Sequence, residues 1–287
     1  MTPTERRVRF RQALEAAEVV YPAPVFDPVS ARIAQMVGYE VGFMAGSVSM
    51  ATEVCAPTGT GVLTSTELAQ QVYRISRASD LSLVVVAEHG YGNALNVMRT
   101  VESLEDAGAA AIIIEDTAPL GFRRAREGQM IPLDEAVGKL RAAVAARRDP
   151  TFVIVGRTGR SLVDSIPETI ERVKAFEGVG VDAIHLSGAT TREAIAAVHA
   201  ETPLPLFVSR LSRELEDRDF LAANGVRVAS VGHLSLWASV QAVYDTLKAL
   251  REGKTQSQLR PSVASPELMA EVTRQAQYAE WIEEFLN

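Results

Sequence analysis

An eight-fold (β/α) barrel is the fold this sequence predicts, and three observations carry the prediction. Short runs built on apolar β-formers recur eight times, at residues 21–27, 39–45, 83–86, 110–116, 152–157, 182–187, 204–210 and 227–233. Runs such as 83–86 lack polar alternation, so both faces should be covered, as in a parallel sheet. Each run is followed by a stretch with helical spacing, in most cases after a short connection, the form of a right-handed βαβ unit. The repeats occupy roughly 250 of the 287 residues, the usual size of such a barrel. A doubly wound open sheet is the competing arrangement. Residues 1–252 form the expected barrel with an N-terminal helix, and residues 253–287 a helical extension of the same domain.

The elements follow in order. Residues 4–19 read as an amphipathic helix. The first strand ends on Asp27, and Pro28 suits the first turn of a helix over 29–37. The second strand closes on Gly46 and Ser47, and residues 49–63, with Pro57, Gly59 and Gly61, read as a loop. Thr64 and Glu67 have capping-box spacing and open a helix to about residue 78. The third strand runs into Glu88, His89, Gly90, Tyr91 and Gly92, and Asn93 caps the helix over 94–107. After the fourth strand a long loop, 117–129, carries Arg123, Arg124 and Arg126 before a helix over 133–148. Strands five to eight lead to helices over 165–178, 192–200, 214–223 and 234–251. The tail holds Gly253, Pro261 and Pro266, then a last helix over 267–285. That helix carries Tyr278, Trp281, Ile282 and Phe285, with Leu286 beyond it, more apolar bulk than an isolated tail needs. It is expected to dock on a neighbouring subunit of a homo-oligomer.

Composition narrows the partners. A net charge of −7 leaves no basic excess for phosphates, so nucleic acid is not the main partner. No apolar run approaches the roughly 18 residues of a membrane span. Cys55, the single cysteine, excludes an internal disulfide. Residues 1–12 are charged and lack the apolar core of a signal peptide, so the cytoplasm is the expected compartment.

In a barrel of this kind the site lies at the carboxyl ends of the strands. Those ends carry Asp27, Ser47, Glu88 with His89, Glu115 with Asp116, Arg157, His185 with Ser187, Ser209 with Arg210, and His233. Eight polar ends converging on one mouth favour an enzyme. Adjacent strand residues face opposite ways, so one of Glu88 and His89 enters the mouth, and Glu115 is expected inward rather than Asp116. Arg157 ends an apolar strand and needs an anion or carboxylate partner, as Arg210 does if it is buried. Asp27 reads as a ligand or a helix cap, Ser47 as an anion-receiving backbone or an ordinary turn, and His233 as a site residue or a cap. Gly90-Tyr91-Gly92 is not a dinucleotide fingerprint, because Leu95 stands at the third glycine position. No His or Cys pair has zinc spacing.

The segments from Phe26 to Arg32, Gly46-Ser47, from His89 to Asn96, Ile114-Glu115-Asp116 and from Lys139 to Ala143 resemble the isocitrate lyase/phosphoenolpyruvate mutase superfamily, with its oxaloacetate decarboxylase branch nearest. The resemblance runs in one register from about residue 5 to 250. It implies the barrel and a homotetramer, or at least a dimer, with C-terminal helices exchanged between subunits. It implies a small anionic 2-oxo or 2-hydroxy dicarboxylate as substrate, cleaved at a C–C bond through an enolate. Arg157, His233, Glu115 and Arg210 are then the catalytic candidates. Phe26, Asp27, Gly46, Ser47 and Arg157 are the substrate-binding ones. Mg²⁺ is the implied cofactor, with Glu88 and Glu115 as its candidate ligands.

The chain departs from the family pattern at the metal. Val86 stands where the family has its direct aspartate ligand, Thr58 replaces a further aspartate, and Glu88 is a longer substitute for a third. Arg210 replaces a tyrosine of the decarboxylase branch and Gly159 an asparagine, so negative charge is lost and positive charge gained. Weak Mg²⁺ binding is expected, with Arg157 and Arg210 sharing the oxyanion's charge. Two alternatives to a lyase stay open: a metal-independent enzyme with a changed reaction, and a non-catalytic barrel that binds small anions.

Overall fold

The computed structural model of the chain describes residues 1–118, 129–159, 165–189, 191–209 and 212–286. Eight parallel strands pair in sequence order: β1 (Ala23–Pro24), β2 (Val41–Met44), β3 (Ser82–Val86), β4 (Ala111–Glu115), β5 (Val153–Thr158), β6 (Ala183–Leu186), β7 (Leu206–Ser209) and β8 (Val226–Ser230). The seam between β8 and β1 is bridged by Val20, which pairs in parallel with Val228. Val20 N–H donates to the Arg227 carbonyl at 2.8 Å, and Ala229 N–H donates to the Val20 carbonyl at 2.9 Å. The result is a nearly closed (β/α)₈ barrel.

Apolar residues fill both faces of the strands, as the unbroken runs require. Val41, Phe43, Val84, Val86, Ile113, Val155 and Phe207 belong to one cluster inside the barrel. Leu83, Val85, Ile112, Ile114, Ile154 and Ile184 belong to a second, between the strands and the helices. The first helix, α1 (Pro3–Glu15), closes the amino-terminal end. Its Phe10 is wholly buried in the inner cluster and meets Phe207 edge-on at 6.2 Å.

Arginines around that phenylalanine hold α1 in place. Arg6 donates to the carbonyls of Ser76 and Ser79, where α4 (Ser65–Ala78) ends. Arg7 donates to the Glu105 carbonyl in the last turn of α5 (Ala94–Asp106) and pairs with Asp149 at 2.7 Å. Arg11 donates to the Thr151 carbonyl at 2.9 Å and pairs with Asp182 at 2.8 Å. Helix ends present unpaired carbonyls and partial negative charge, so guanidinium groups suit them.

Four elements differ from the sequence expectation. The first helix stops at Glu15, because the following residues are drawn to the barrel seam at Val20. The expected loop over 49–63 begins with a helix, α3 (Gly46–Val54), which ends where Cys55 turns left-handed at φ 50°. Its breakers, Pro57, Gly59 and Gly61, all lie beyond that point. The helix expected over 214–223 is a 3₁₀ turn (Arg213–Leu215) followed by α9 (Arg218–Ala223), capped by Asp217. The last helix is divided into α12 (Pro266–Val272) and α13 (Gln275–Leu286), with Arg274 at φ 55° between them.

The final barrel helix, α10 (Leu234–Arg251), is unlike the others. Only Leu236 and Ala249 are buried along it. Trp237, Val240, Tyr244 and Leu247 form an exposed row at spacings of three and four, with Trp237 66% and Tyr244 61% exposed. Tyr278, Trp281, Ile282 and Phe285 of α13 are exposed as well. Among the described residues, no helix is long and apolar enough to cross a membrane.

Phe10→Ala removes the largest contact between α1 and the barrel floor. It is expected to cost about 3–5 kcal/mol of folding stability, the usual range for emptying a buried aromatic site. Denaturant titration of the variant against the parent protein measures it.

Candidate active site

Alternation along the strands decides which polar groups meet at the carboxyl mouth. In β4, Ile113 faces in and Ile114 out, so Glu115 faces in and Asp116 out. Glu115 is the register partner of Arg157 on β5. Its Oε2 lies 3.1 Å from Arg157 Nη1, and its Oε1 accepts from Thr117 Oγ1 at 2.5 Å. Arg157 Nη2 also donates to Ser187 Oγ at 3.3 Å. The outward Asp116 is buried and belongs to a separate pair. It accepts from Thr158 Oγ1 at 2.6 Å and from Arg172 Nη1 at 3.1 Å, and burial pushes its pKa up.

Glu88 is the inward member of its pair. Its backbone is left-handed, at φ 48°, and its carboxylate lies against Gly46. A methyl group on Gly46 would overlap Glu88 Oε1, so glycine there permits the approach. Burial, then the charge of Glu115, pushes the Glu88 pKa up to about 7, with Arg157 opposing the rise. His89 takes part in the turn instead. Its Nδ1 accepts from Tyr91 N–H at 3.0 Å, and its carbonyl accepts from the buried Lys139 Nζ at 3.3 Å. Burial lowers the pKa of His89, and the Lys139 charge adds to the effect.

Gly46 and Ser47 open α3, which has no side-chain cap, so its first N–H groups face the mouth without one. Ser47 Oγ lies 3.0 Å from Nε2 of His233, the residue before α10. Phe26 N–H donates to Ser30 Oγ at 2.9 Å, and the Phe26 carbonyl accepts from Gln71 Nε2 at 2.8 Å. Asp27 caps α2 (Pro28–Met36), accepting from Ser30 N–H at 2.7 Å. Arg210 lies outside the described residues, as do Arg123, Arg124 and Arg126.

His185 and Ser209 stand among the strand ends that the sequence picks out, but the sequence assigns neither a role. His185 is an inward residue of β6, in register with Arg157, and is almost wholly buried. Its Nε2 lies 2.7 Å from Ser209 Oγ, which in turn accepts from Ser230 Oγ at 2.9 Å. Burial, and secondarily Arg157, lowers the His185 pKa well below its usual value. The available signal was a histidine between two apolar strand residues, Ile184 and Leu186, where a polar side chain needs a partner.

Parallel (β/α)₈ barrels that gather their polar groups at the carboxyl ends of the strands are a class of enzymes, and this chain is built that way. Residues 10–251 match the family model described as phosphoenolpyruvate phosphomutase, and the chain belongs to that family, within the isocitrate lyase/phosphoenolpyruvate mutase superfamily. It is 48% identical over 277 residues to an oxaloacetate decarboxylase of Rhodopseudomonas palustris (strain BisB18), covering 96% of this chain and 95% of that one. It is 42% identical to an oxaloacetate decarboxylase of Paraburkholderia xenovorans (strain LB400), covering 99% and 95%. Among solved structures, a phosphoenolpyruvate phosphomutase from Streptomyces platensis subsp. rosaceus superposes with a TM-score of 0.86 at 24% identity, covering 98% and 99%. A phosphonopyruvate hydrolase solved with oxalate and Mg²⁺ superposes with a TM-score of 0.85 at 24% identity, covering the whole of both chains. At that identity the two structures establish the fold.

A resident Mg²⁺ needs hard oxygen ligands with free lone pairs, usually one or two carboxylates completed by water. The inward carboxylates here are Glu88 and Glu115. Both Glu115 oxygens already have partners, one of them the Arg157 guanidinium. Glu88 is turned onto Gly46, and Val86, two residues earlier on the same face, is apolar. Among the described residues, no three His, Cys, Asp or Glu side chains group so as to hold a metal. This donor set does not fit a resident divalent ion.

The raised pKa of Glu88 has a consequence for stability. The folded protein keeps this carboxyl protonated to higher pH than the unfolded chain does. Between about pH 4.5 and 7 the folded state therefore binds more protons, and this group's contribution to stability is lost as pH rises. Glu88→Gln cannot ionise and is expected to flatten that decline. Urea midpoints of both proteins at pH 5 and pH 8 check the sign: the variant should gain on the parent at pH 8.

Proposed function

We propose that the chain is a carbon–carbon lyase that decarboxylates oxaloacetate or a closely similar 2-oxo dicarboxylate. The observation that carries this reading is identity of 42–48% to curated oxaloacetate decarboxylases over nearly the whole chain. The geometry of the mouth supports it. When the bond to the departing carboxylate breaks, CO₂ leaves and the electron pair stays behind as an enolate, its charge on the 2-oxo oxygen. Fixed positive charge or aimed donors at that oxygen lower the barrier. Arg157 is permanently charged, and Glu115 and Ser187 hold it in one orientation. The uncapped start of α3 offers backbone donors for a carboxylate, and Phe26 and Asp27, at the start of α2, are proposed to line the same pocket. His233, hydrogen-bonded to Ser47, is the group proposed to pass a proton to the enolate carbon, giving the product 2-oxo acid. Arg210 is proposed as a second cation from its place in the sequence. Mg²⁺ binding is proposed to be weak.

Oxaloacetate is the substrate to test, with pyruvate release followed by a coupled dehydrogenase. Arg157→Ala and His233→Ala are each expected to lower kcat/KM by about 10²-fold, the scale of losing one oxyanion donor or acid–base group. Activity should persist in excess chelator. No turnover of oxaloacetate or related diacids would reject the lyase reading. Loss in chelator restored by Mg²⁺ would reject weak metal binding alone.

We also propose that the exposed rows on α10 and α13 are covered by another subunit, with C-terminal helices exchanged between partners. Exposed apolar rows on both helices suit an interface. Sedimentation velocity at micromolar concentration should show a dimer or larger, and Trp237→Glu should shift it towards the monomer. A parent protein that sediments as a monomer would end this reading.

A further inference from the structure

The mouth of the barrel has two unlike halves. Strands β3 to β5 supply charge: Glu88, Glu115 and Arg157. Among the described residues, strands β6 to β8 supply neutral polar groups: His185, Ser209 and Ser230, linked by hydrogen bonds of 2.7 and 2.9 Å. No role has been assigned to this second half. His185 is nearly inaccessible, and its Nδ1 has no hydrogen-bond partner among the described residues. Such an orphan inside a barrel calls for an explanation.

Arg157 supplies one. It is the register neighbour of His185 and acts on it electrostatically. Its charge disfavours the imidazolium, and an Nδ1 without a partner is better left as a bare lone pair than as a buried N–H donor. Of the two neutral tautomers, the one with its proton on Nε2 therefore fits. In that tautomer Nε2–H donates to Ser209 Oγ. Ser230 also donates to Ser209 Oγ. With both of its acceptor positions used, Ser209 keeps its own proton for a third partner. Ser209 is half-buried on the last residue of β7, at the mouth, so that proton is available to a ligand there.

We propose that Ser209 is a substrate-binding donor for the carboxylate of the diacid farther from its 2-oxo group, and that His185 is a positioning residue that fixes the direction of the Ser209 hydroxyl. The proposal rests on the decarboxylase reading and adds a specificity element to it. An uncharged donor suits a group that must leave as neutral CO₂. It orients the carboxylate without the strong ionic stabilisation that Arg157 would give, which would oppose loss of its charge. The charged half of the mouth then serves the 2-oxo oxygen and the retained carboxylate.

Binding of two probes separates the halves. Calorimetric titration would use succinate, which has both carboxylates, and pyruvate, which lacks the distal one. Ser209→Ala should weaken succinate by roughly tenfold or more, the scale of a hydrogen bond to a charged group, and change pyruvate less than about twofold. His185→Phe removes the Nε2–H and should show the same selective loss. His185→Gln, which can place an amide N–H near the same point, should restore most of it. Thermal melts establish that each variant is folded; if His185→Phe is not, Ser209→Ala and His185→Gln carry the test. Equal weakening of both probes, or no weakening of succinate in Ser209→Ala, would overturn the proposal. Turnover of oxaloacetate by the parent protein is scored separately, so failure of the decarboxylase reading is distinguishable from failure of this one.

Discussion

The register of the parallel strands, combined with their alternation, is the constraint on which the rest of the molecule depends. Glu115 and Arg157 are register partners facing inward, and they form an ion pair. One residue further on, Asp116 and Thr158 face outward, where Asp116 meets Arg172. The two adjacent carboxylates therefore serve opposite sides of one sheet, each with a guanidinium and a threonine hydroxyl. A slip of one residue would send every one of these groups to the wrong face. Buried charges without partners cost several kcal/mol each, so the two pairs select one register.

The turn after β3 concentrates the backbone strain. Glu88, Gly90, Tyr91 and Gly92 all have positive φ. For Glu88 and Tyr91 that geometry is uncommon and costs energy. Surrounding bonds impose it. Glu115 N–H donates to the Glu88 carbonyl at 2.9 Å, Lys139 to the His89 carbonyl, and Thr100 to the Gly90 carbonyl at 3.3 Å. The strain places the Glu88 carboxyl on Gly46 and beside Glu115, in surroundings that favour its neutral form.

The two ends of the barrel are built differently. The amino-terminal end is sealed by Phe10 and by arginines bound to backbone carbonyls, which yields stability. The carboxyl end gathers side chains from seven strands and the first turn of α3. On the outer wall, α10 leaves the apolar row that a barrel helix usually turns inward open to solvent.

The sequence by itself determined the number and order of strand–helix units. Unbroken runs of Val, Ile and Leu can be buried on both faces in few arrangements, and eight of them in series close into a barrel. Periodicity two also told that one member of each polar pair enters the mouth. Resemblance at Phe26–Asp27, Gly46–Ser47 and the turn at 89–96 brought out most of the candidate residues and the family. Tertiary structure decided what depends on distant neighbours. A helix began at Gly46 because no breaker stands before Pro57, yet its role beside Glu88 depends on a strand some forty residues away. Ser47 meets His233 across the seam, 186 positions apart, and Ser209 meets His185 on one neighbouring strand and Ser230 on the other. Local spacing carries no signal for such meetings, since they arise only when the barrel curves its first strand round to its last.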